Sequence, residues 1–175
     1  MKNTKILWFT GLSGSGKTTI ANELKVKLEQ TGKTVMLIDG DTIRDTIHRH
    51  LKFTREDIEE NNRLIVLLCK ENIGNHDFII VSVISPFQKS REFARKTLSG
   101  DFLEIYIKAD LEECIKRDKK GLYKKALAGK IDNFIGISEN VPYEEPLNPD
   151  ILVDAQQDGA ALCVNKILKY LRQSL

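Results

Sequence analysis

Residues 11–19 read G-L-S-G-S-G-K-T-T and follow the apolar, strand-like run I-L-W-F. Gly11, Gly16, Lys17 and Thr18 have the spacing of a phosphate-binding P-loop, in which glycines allow backbone N–H groups to converge on a phosphate. A helix-like segment follows at once, and its N-terminus would add a dipole and free N–H groups. The stretch therefore predicts a nucleotide-binding site between a buried strand and a helix.

The P-loop pattern also assigns roles to individual residues. Lys17 is expected to reach the β- and γ-phosphates, and the Thr18 hydroxyl to ligate Mg²⁺. The remaining loop residues that we expect to bind the nucleotide are Gly11, Ser13, Gly14, Ser15, Gly16 and Thr19. The loop alone does not distinguish a kinase from a GTPase, an ATPase motor or a nucleotide-gated switch.

Length and composition narrow the class of protein further. The 175 residues predict one domain over residues 1–175, and a net charge of +2 is too small to indicate nucleic acid or a membrane as the partner. The N-terminal apolar run is too short for a signal peptide or a membrane span, so we expect a cytoplasmic location. Cys69, Cys114 and Cys163 are widely spaced and odd in number, which predicts buried free thiols.

Short apolar runs alternate with helix-period segments along the chain. The predicted strands are 5–10, 34–38, 78–84, 102–107 and 151–153, and the predicted helices are 17–30, 55–72, one from residue 111, and 160–172. This alternation predicts an α/β fold, with a central parallel sheet of about five strands and helices on both faces. Ligands of such sheets bind beyond the carboxyl ends of the strands, where the P-loop, D-G-D and I-S-P all lie.

Two carboxylates, Asp39 and Asp41, follow the second predicted strand. Near a P-loop they could hold metal-bound water and accept a proton from an attacking hydroxyl, as an aspartate does in kinases. The alternative is an Asx turn in which Asp41 caps the helix T-I-R-D-T-I. The residues alone leave both roles open, and the two roles are compatible.

Three further features each have two interpretations. Arg44 either points back to the same sheet edge or is a solvated surface arginine. Phe53 is either a hydrophobic staple before the helix cap Thr54 or a face on which a base stacks. The basic segment 117–130 is either a lid that closes over the phosphates or a solvated helix face.

Six segments carry a family resemblance when they are taken together. In chain order they are G-L-S-G-S-G-K-T-T, D-G-D-x-I-R, E-N-x-R, I-S-P, R-D-x-K-G-L-Y-K-K-A-x-A-G and P-Y-E-x-P. Over nearly the whole chain they resemble the adenylylsulfate kinase (APS kinase) family. The resemblance implies a P-loop kinase that transfers the γ-phosphate of MgATP to the ribose 3′-hydroxyl of adenosine 5′-phosphosulfate (APS). It also implies a homodimer and a mobile lid around residues 117–145.

The resemblance implies a set of site residues as well. Asp41 would lie near the 3′-hydroxyl as base or orienter, and Asp39 would support Mg²⁺. Arg117 would lie against the ATP adenine. The acceptor would be held by Arg44 and Asn61 at its 5′-phosphate region, Phe53 and Phe134 on either side of the base, Ile84 and Ser85 along the wall, and Lys120 at the acid anhydride. Some relatives phosphorylate the serine that matches Ser85, which we expect here to bind substrate.

The departures from the family pattern concentrate where the acceptor would bind. The family usually has arginines where this chain has Ile58 and Leu64, and the first of them normally contacts the phosphosulfate end. Loss of such a charge-assisted contact costs about 1.5–3 kcal/mol. Thr42, Lys119 and a turn at 137–142 that is longer by about two residues depart as well, whereas the ATP-binding segments are intact.

The sequence therefore leaves three functions open. The first is an APS kinase of sulfate assimilation. The second is a relative that phosphorylates a different nucleotide, notably the 3′-hydroxyl of cytidine diphosphoramidate in capsule biosynthesis, because polar changes in a binding site shift specificity. The third is an ATP sensor or scaffold that closes its lid without turnover.

Overall fold

Strands and helices alternate along residues 3–173, the part of the chain that this computed structural model describes. The strands are β1 Lys5–Thr10, β2 Val35–Asp39, β3 Phe78–Ser82, β4 Phe102–Lys108 and β5 Ile151–Asp154. The helices are α1 Lys17–Glu29, α2 Gly40–Thr46, α3 Arg55–Asn72, α4 Gln88–Leu98, α5 Leu111–Arg117, α6 Leu122–Leu127 and α7 Ala160–Gln173. All strand pairs are parallel, in the order β2-β3-β1-β4-β5. The predicted five-stranded α/β fold is confirmed.

The central strand β1 divides the core into two layers because successive side chains point to opposite faces. Leu7 and Phe9 pack with residues of α1 and α7 on one face. Ile6 and Trp8 pack with residues of α3 and α4 on the other. All four side chains are at most 1% exposed, which accounts for the continuous apolar run in the sequence.

One helix was not expected from the sequence, and one helix cap was assigned wrongly. Helix α4 has a weak apolar pattern because Ser90 and Arg91 occupy buried positions on it. Helix α2 begins at Gly40, and its cap is Asp39, whose side chain accepts from the backbone N–H groups of Asp41 and Thr42. The expectation that Asp41 caps this helix is therefore wrong.

The sheet brings the ends of β1, β2 and β3 together. Ser82 at the end of β3 pairs in register with Phe9 of β1 and with Asp39 of β2. The P-loop, Asp39 and the segment after β3 therefore meet at one edge, as expected for parallel strands. The fold therefore gathers these three segments at one end of the sheet.

Cys69, Cys114 and Cys163 are free and buried, as predicted, and burial raises the pKa of the Cys69 thiol to about 12. Within residues 3–173, no helix has both the length and the apolar character needed to cross a membrane.

Candidate active site

A cavity of about 470 Å³ opens at the carboxyl edge of the sheet. The predicted site residues that line it are Ser13, Gly14, Ser15, Gly16, Lys17, Thr18, Thr19, Asp39, Asp41, Arg44, Phe53, Ile58, Asn61, Ile84, Ser85, Arg117 and Lys120. The P-loop forms one side, which we call the nucleotide half. Residues of α2, α3 and the segment after β3 form the other side, the acceptor half. Two predicted residues, Gly11 and Phe134, do not line this cavity.

The P-loop has the close approaches that require glycine. A Cβ at Gly11 would lie 2.5 Å from the Ile107 carbonyl oxygen and 2.8 Å from Ser15 Oγ. Gly16 has φ of 105° at the start of α1, a left-handed conformation that other residues rarely adopt. The loop therefore curls tightly enough to direct its backbone N–H groups toward one anion.

Lys17 is folded back over its own loop. Its Nζ donates to the carbonyl oxygens of Gly11 at 2.9 Å and Leu12 at 2.8 Å. Burial lowers the pKa of Lys17 to about 8, and the carboxylates of Asp39 and Asp41 act in the opposite direction. A phosphate group would add negative charge beside this ammonium and favour its protonated form.

Asp39 uses its two carboxylate oxygens for different purposes. Oδ1 accepts from the N–H groups of Asp41 at 3.1 Å and Thr42 at 3.2 Å, which fixes the start of α2. Oδ2 accepts from the Thr18 hydroxyl at 3.0 Å. Capping and a role in the site are thus combined in one side chain.

The Thr18 and Asp39 pair fits the ligand preference of Mg²⁺. This ion takes oxygen ligands and is usually held by one or two carboxylates together with phosphate oxygens and water. Residues 3–173 contain no group of three His, Cys, Asp or Glu side chains that could hold a metal by themselves. An ion bound here would therefore take further ligands from a nucleotide.

Asp41 extends from the first turn of α2 into the open part of the cavity. Its carboxylate forms an ion pair with Lys120, and the two side chains are 68% and 60% exposed. The hydrogen bond to Asp41 raises the pKa of Lys120. Because exposed ion pairs contribute little to stability, this contact can exchange for a contact with ligand at low cost.

Arg44 and Phe53 form a stacked pair in the acceptor half. The guanidinium carbon of Arg44 lies 4.6 Å from the centre of the Phe53 ring, and Arg44 also donates to the Leu51 and Lys52 carbonyls. Burial lowers the pKa of Arg44. The side chain of Phe53 is 47% exposed, so one ring face remains available for a base. The contacts of Arg44 with the acceptor phosphate and of Phe53 with the base stay predictions.

Ser85 lies on the wall of the acceptor half in an unusual conformation. Its φ is 45°, and its hydroxyl is buried without a hydrogen-bond partner among residues 3–173. Its carbonyl oxygen accepts from the buried guanidinium of Arg91 at 2.8 Å and from Thr10 Oγ1 at 3.2 Å. These two donors hold the strained segment in place.

Arg117 and Phe134 are positioned differently from each other. Arg117 lines the cavity, donates to the Ala155 carbonyl at 2.9 Å and pairs with Glu113 at 2.9 Å. Phe134 packs edge-on against the Tyr123 ring, with 4.9 Å between centroids. A stacking contact between Phe134 and a base therefore requires movement of the segment around it and stays a prediction.

The Adenylylsulphate kinase family model matches residues 3–154, which is most of the chain. This chain belongs to the adenylylsulfate kinase family.

Individual relatives match over nearly their full length. The chain is 45% identical to an adenylyl-sulfate kinase of Clostridium kluyveri, over 97% of this chain and 84% of the relative. It is 43% identical to a probable adenylyl-sulfate kinase of Bacillus subtilis, over 98% and 87%. The structure of the Mycobacterium tuberculosis APS kinase CysC in complex with AMPPNP and APS matches with a TM-score of 0.93 at 34% identity, over 98% of this chain and 99% of that chain.

The acceptor half of this adenylylsulfate kinase family member has an apolar section. Ile58 is 2% exposed and packs with Phe87, Ile135 and Val141, while part of it lines the cavity. Asn62, one turn further along α3, lines the same wall. The position where the family usually has an arginine is thus filled by an uncharged side chain.

The structure adds residues that the sequence interpretation did not single out. Tyr123 donates from Oη to the Ser13 carbonyl at 2.8 Å and so connects α6 to the P-loop. The sequence could have indicated Tyr123, because this residue lies inside the family-specific K-G-L-Y-K-K-A segment. Arg91 had no such signal, because its helix was not predicted. His48, which contacts Asn61, also had none.

Proposed function

We propose that this chain is an ATP-dependent kinase that phosphorylates the ribose 3′-hydroxyl of APS. The observation that carries the proposal is the single cavity that joins an intact P-loop to Asp41, Arg44 and Phe53. A P-loop with a neighbouring carboxylate and a stacking face is suited to phosphoryl transfer to a nucleotide hydroxyl. The names of the relatives support APS as the acceptor.

The reaction would use the two halves of the cavity together, with ATP in the nucleotide half and the acceptor in the acceptor half. The P-loop N–H groups and Lys17 hold the β- and γ-phosphates and balance their charge. Asp41 accepts the proton of the 3′-hydroxyl as the new bond from that oxygen to the γ-phosphorus forms and the bond to the β-phosphate oxygen breaks. ADP leaves with the electron pair of the broken bond. Thr18 and Asp39 would hold Mg²⁺, which when bound supplies neutralisation of phosphate charge.

A second acceptor is favoured by one observation, the uncharged wall at Ile58. A relative redirected to cytidine diphosphoramidate would use the same nucleotide half, and Phe53 would stack on cytosine because every base has a π-face. Ile58 and Asn62 would then face a different anhydride end. This candidate concerns the acceptor alone and leaves the reaction type unchanged.

One assay separates these functions. Purified chain and MgATP are combined with APS, cytidine diphosphoramidate, CDP or AMP, and ADP release is followed by a coupled reaction. We expect kcat/KM to be highest with APS. A higher kcat/KM with cytidine diphosphoramidate would show that this nucleotide, and not APS, is the acceptor. If none of the four nucleotides raises ADP release above the rate without acceptor, the result would favour an ATP sensor.

We further propose that residues 117–145 act as a lid and that the chain forms a homodimer. Support for the lid comes from the exchangeable pair of Lys120 with Asp41 and from the displacement that Phe134 would need. Hydrogen exchange of segment 117–145 should fall when ATP and APS are both bound. Light scattering should give twice the 19.9 kDa mass of one chain.

A further inference from the structure

His48 is a buried histidine beside the acceptor half. It follows α2 and is 7% exposed. Its backbone N–H donates to the Ile43 carbonyl and its carbonyl accepts from the Leu51 N–H, both at 3.0 Å. These bonds fix the backbone on both sides of the ring, so the imidazole is held against α3 in a defined place.

One nitrogen of the imidazole contacts the side-chain amide of Asn61. Nδ1 of His48 lies 2.8 Å from Oδ1 of Asn61, and both residues are buried. An amide oxygen only accepts hydrogen bonds, so Nδ1 carries the proton in this contact. The bond therefore selects one tautomer of His48 and one orientation of the Asn61 amide.

The orientation of the amide determines what Asn61 offers to a ligand. With Oδ1 turned to His48, the Nδ2 group has no hydrogen-bond partner within residues 3–173, and Asn61 lines the cavity. Because Nδ2 is not enclosed by protein, this donor is open to water and to a ligand. An acceptor oxygen of a ligand would supply that partner.

We propose that His48 is a positioning residue that fixes the Asn61 amide so that its N–H donors face the acceptor nucleotide. The inference rests on the proposed function for the identity of the ligand, and it deepens that function. The oxygen recognised would belong to the phosphate region of the acceptor. Ile58 lies on the same face of α3 and contributes no polar atom. A fixed donor at Asn61 therefore contributes more to binding the acceptor than it would with an arginine at position 58.

Three substitutions test the role by kinetics. His48→Leu removes the donor, whereas His48→Asn keeps an N–H donor in the place of Nδ1, because both nitrogens lie two bonds beyond Cβ. We expect His48→Leu to raise KM for the acceptor about 3- to 10-fold, with kcat and KM for ATP within twofold of wild type. His48→Asn should restore most of the affinity. His76→Leu is the matched control, because His76 lies beyond the C-terminal end of α3, whereas Asn61 lies near its N-terminal end.

Nuclear magnetic resonance tests the hydrogen bond without turnover. Long-range ¹H–¹⁵N correlations should show His48 protonated at Nδ1, and the side-chain amide signals of Asn61, identified from their loss in Asn61→Asp, should shift in His48→Leu and on addition of acceptor. An Nε2–H tautomer would overturn the proposal, because the amide would then present its oxygen to the ligand.

The outcomes separate this inference from the proposed function. Failure of wild type to use APS would refute the proposed acceptor, while the tautomer and amide signals would still decide the role of His48. An unchanged acceptor KM in folded His48→Leu would overturn the positioning role. Equal loss of melting temperature in His48→Leu and His48→Asn, with no difference in KM, would also overturn it and indicate a packing residue.

Discussion

The nucleotide half and the acceptor half of the cavity are built differently. The nucleotide half is formed mainly by one continuous segment, the P-loop, in which Lys17 bonds back to the carbonyl oxygens of Gly11 and Leu12. The acceptor half is assembled from three separate elements, α2, α3 and the segment after β3. One side is a single backbone segment, and the other is a wall of side chains from several elements.

This difference affects what a substitution can change. A backbone cradle with close approaches such as Gly11 to Ile107 tolerates little variation, because an added Cβ would lie 2.5 Å from a carbonyl oxygen. The acceptor wall consists of side chains, so replacing one of them changes ligand chemistry while the backbone stays in place. The departure at Ile58 lies on that second kind of surface.

The largest expected effect is at Asp41, where the two halves meet. Asp41→Asn removes the proton acceptor and leaves the P-loop unchanged. We expect kcat with APS to fall about 10²- to 10⁴-fold, a range typical of a general base, with ATP affinity within about threefold of wild type. Single-turnover kinetics and calorimetric titration of ATP measure the two quantities.

Asp45→Asn is the matched control for this experiment. Asp45 is exposed and lies one turn further along α2, so it changes the same net charge without reaching the attacking hydroxyl. It should retain near-normal kcat. Turnover of Asp41→Asn within tenfold of wild type would show that proton transfer does not depend on Asp41 and that this residue only orients the acceptor.

The next largest effect tests whether Ile58 sets the acceptor. Ile58→Arg places a guanidinium on the cavity wall, and we expect kcat/KM for APS to rise about 10-fold or more, since a charge-assisted contact is worth about 1.5–3 kcal/mol. The larger side chain also disturbs its packing with Phe87, Ile135 and Val141. Thermal unfolding should therefore show a loss of about 1–3 kcal/mol.

Ile58→Met controls for shape without charge. It should change neither acceptor preference nor kcat/KM for APS by more than about twofold, because it brings no donor. If Ile58→Arg and Ile58→Met behave alike toward APS, the uncharged wall does not determine the acceptor. A gain with cytidine diphosphoramidate instead of APS would contradict the prediction as well.

The two halves also differ in how far they could be predicted. The P-loop and the strands around it follow from local patterns, such as the apolar run of β1 and the glycine spacing. The expected starts of α1 and α3 were correct for the same reason. Helix α4 was missed because Arg91, which pairs with Glu104 at 2.8 Å, takes a buried position that a sequence pattern assigns to an apolar residue.

Most residues of the acceptor half could be predicted only from the family resemblance. Residues as distant as Asn61 and Ser85 come together only through strand order and helix packing, which no local pattern encodes. Contacts such as that of His48 with Asn61 were invisible for this reason. Asp39 shows another limit, because it caps α2, a role that the sequence had offered for Asp41, and also accepts a hydrogen bond from Thr18.

A third prediction uses the ionisation of Lys17 to probe the nucleotide half. The pKa of Lys17 is about 8 in the nucleotide-free chain against an ordinary 10.5. Phosphates favour the charged ammonium, so ATP binding should take up a proton at alkaline pH. At about pH 9 only about a tenth of the lysine is charged, and the ATP dissociation constant should be about tenfold higher than at pH 7.

The effect of rising pH on folding stability through Lys17 is opposite to its effect on ATP binding. Between about pH 8 and the ordinary pKa of 10.5, the unfolded chain binds more protons at Lys17 than the folded chain. This group therefore makes the nucleotide-free protein more stable as pH rises through that window.

Calorimetry in two buffers of different ionisation heat measures the proton uptake that accompanies ATP binding. Lys17→Met should remove it, and equal uptake in Lys17→Met would assign it to another group.

The smallest effect concerns the contact between α6 and the nucleotide half. Tyr123→Phe removes the bond from Oη to the Ser13 carbonyl and keeps the ring contact with Phe134. We expect about a 2- to 10-fold increase in KM for ATP, faster hydrogen exchange over α6, and an unchanged KM for the acceptor, because one neutral hydrogen bond contributes about 0.5–1.5 kcal/mol. Tyr123→Leu should add the loss of ring packing and lower the melting temperature further. An increase in acceptor KM alone would show that α6 belongs to the acceptor half and would contradict its assignment to the nucleotide half.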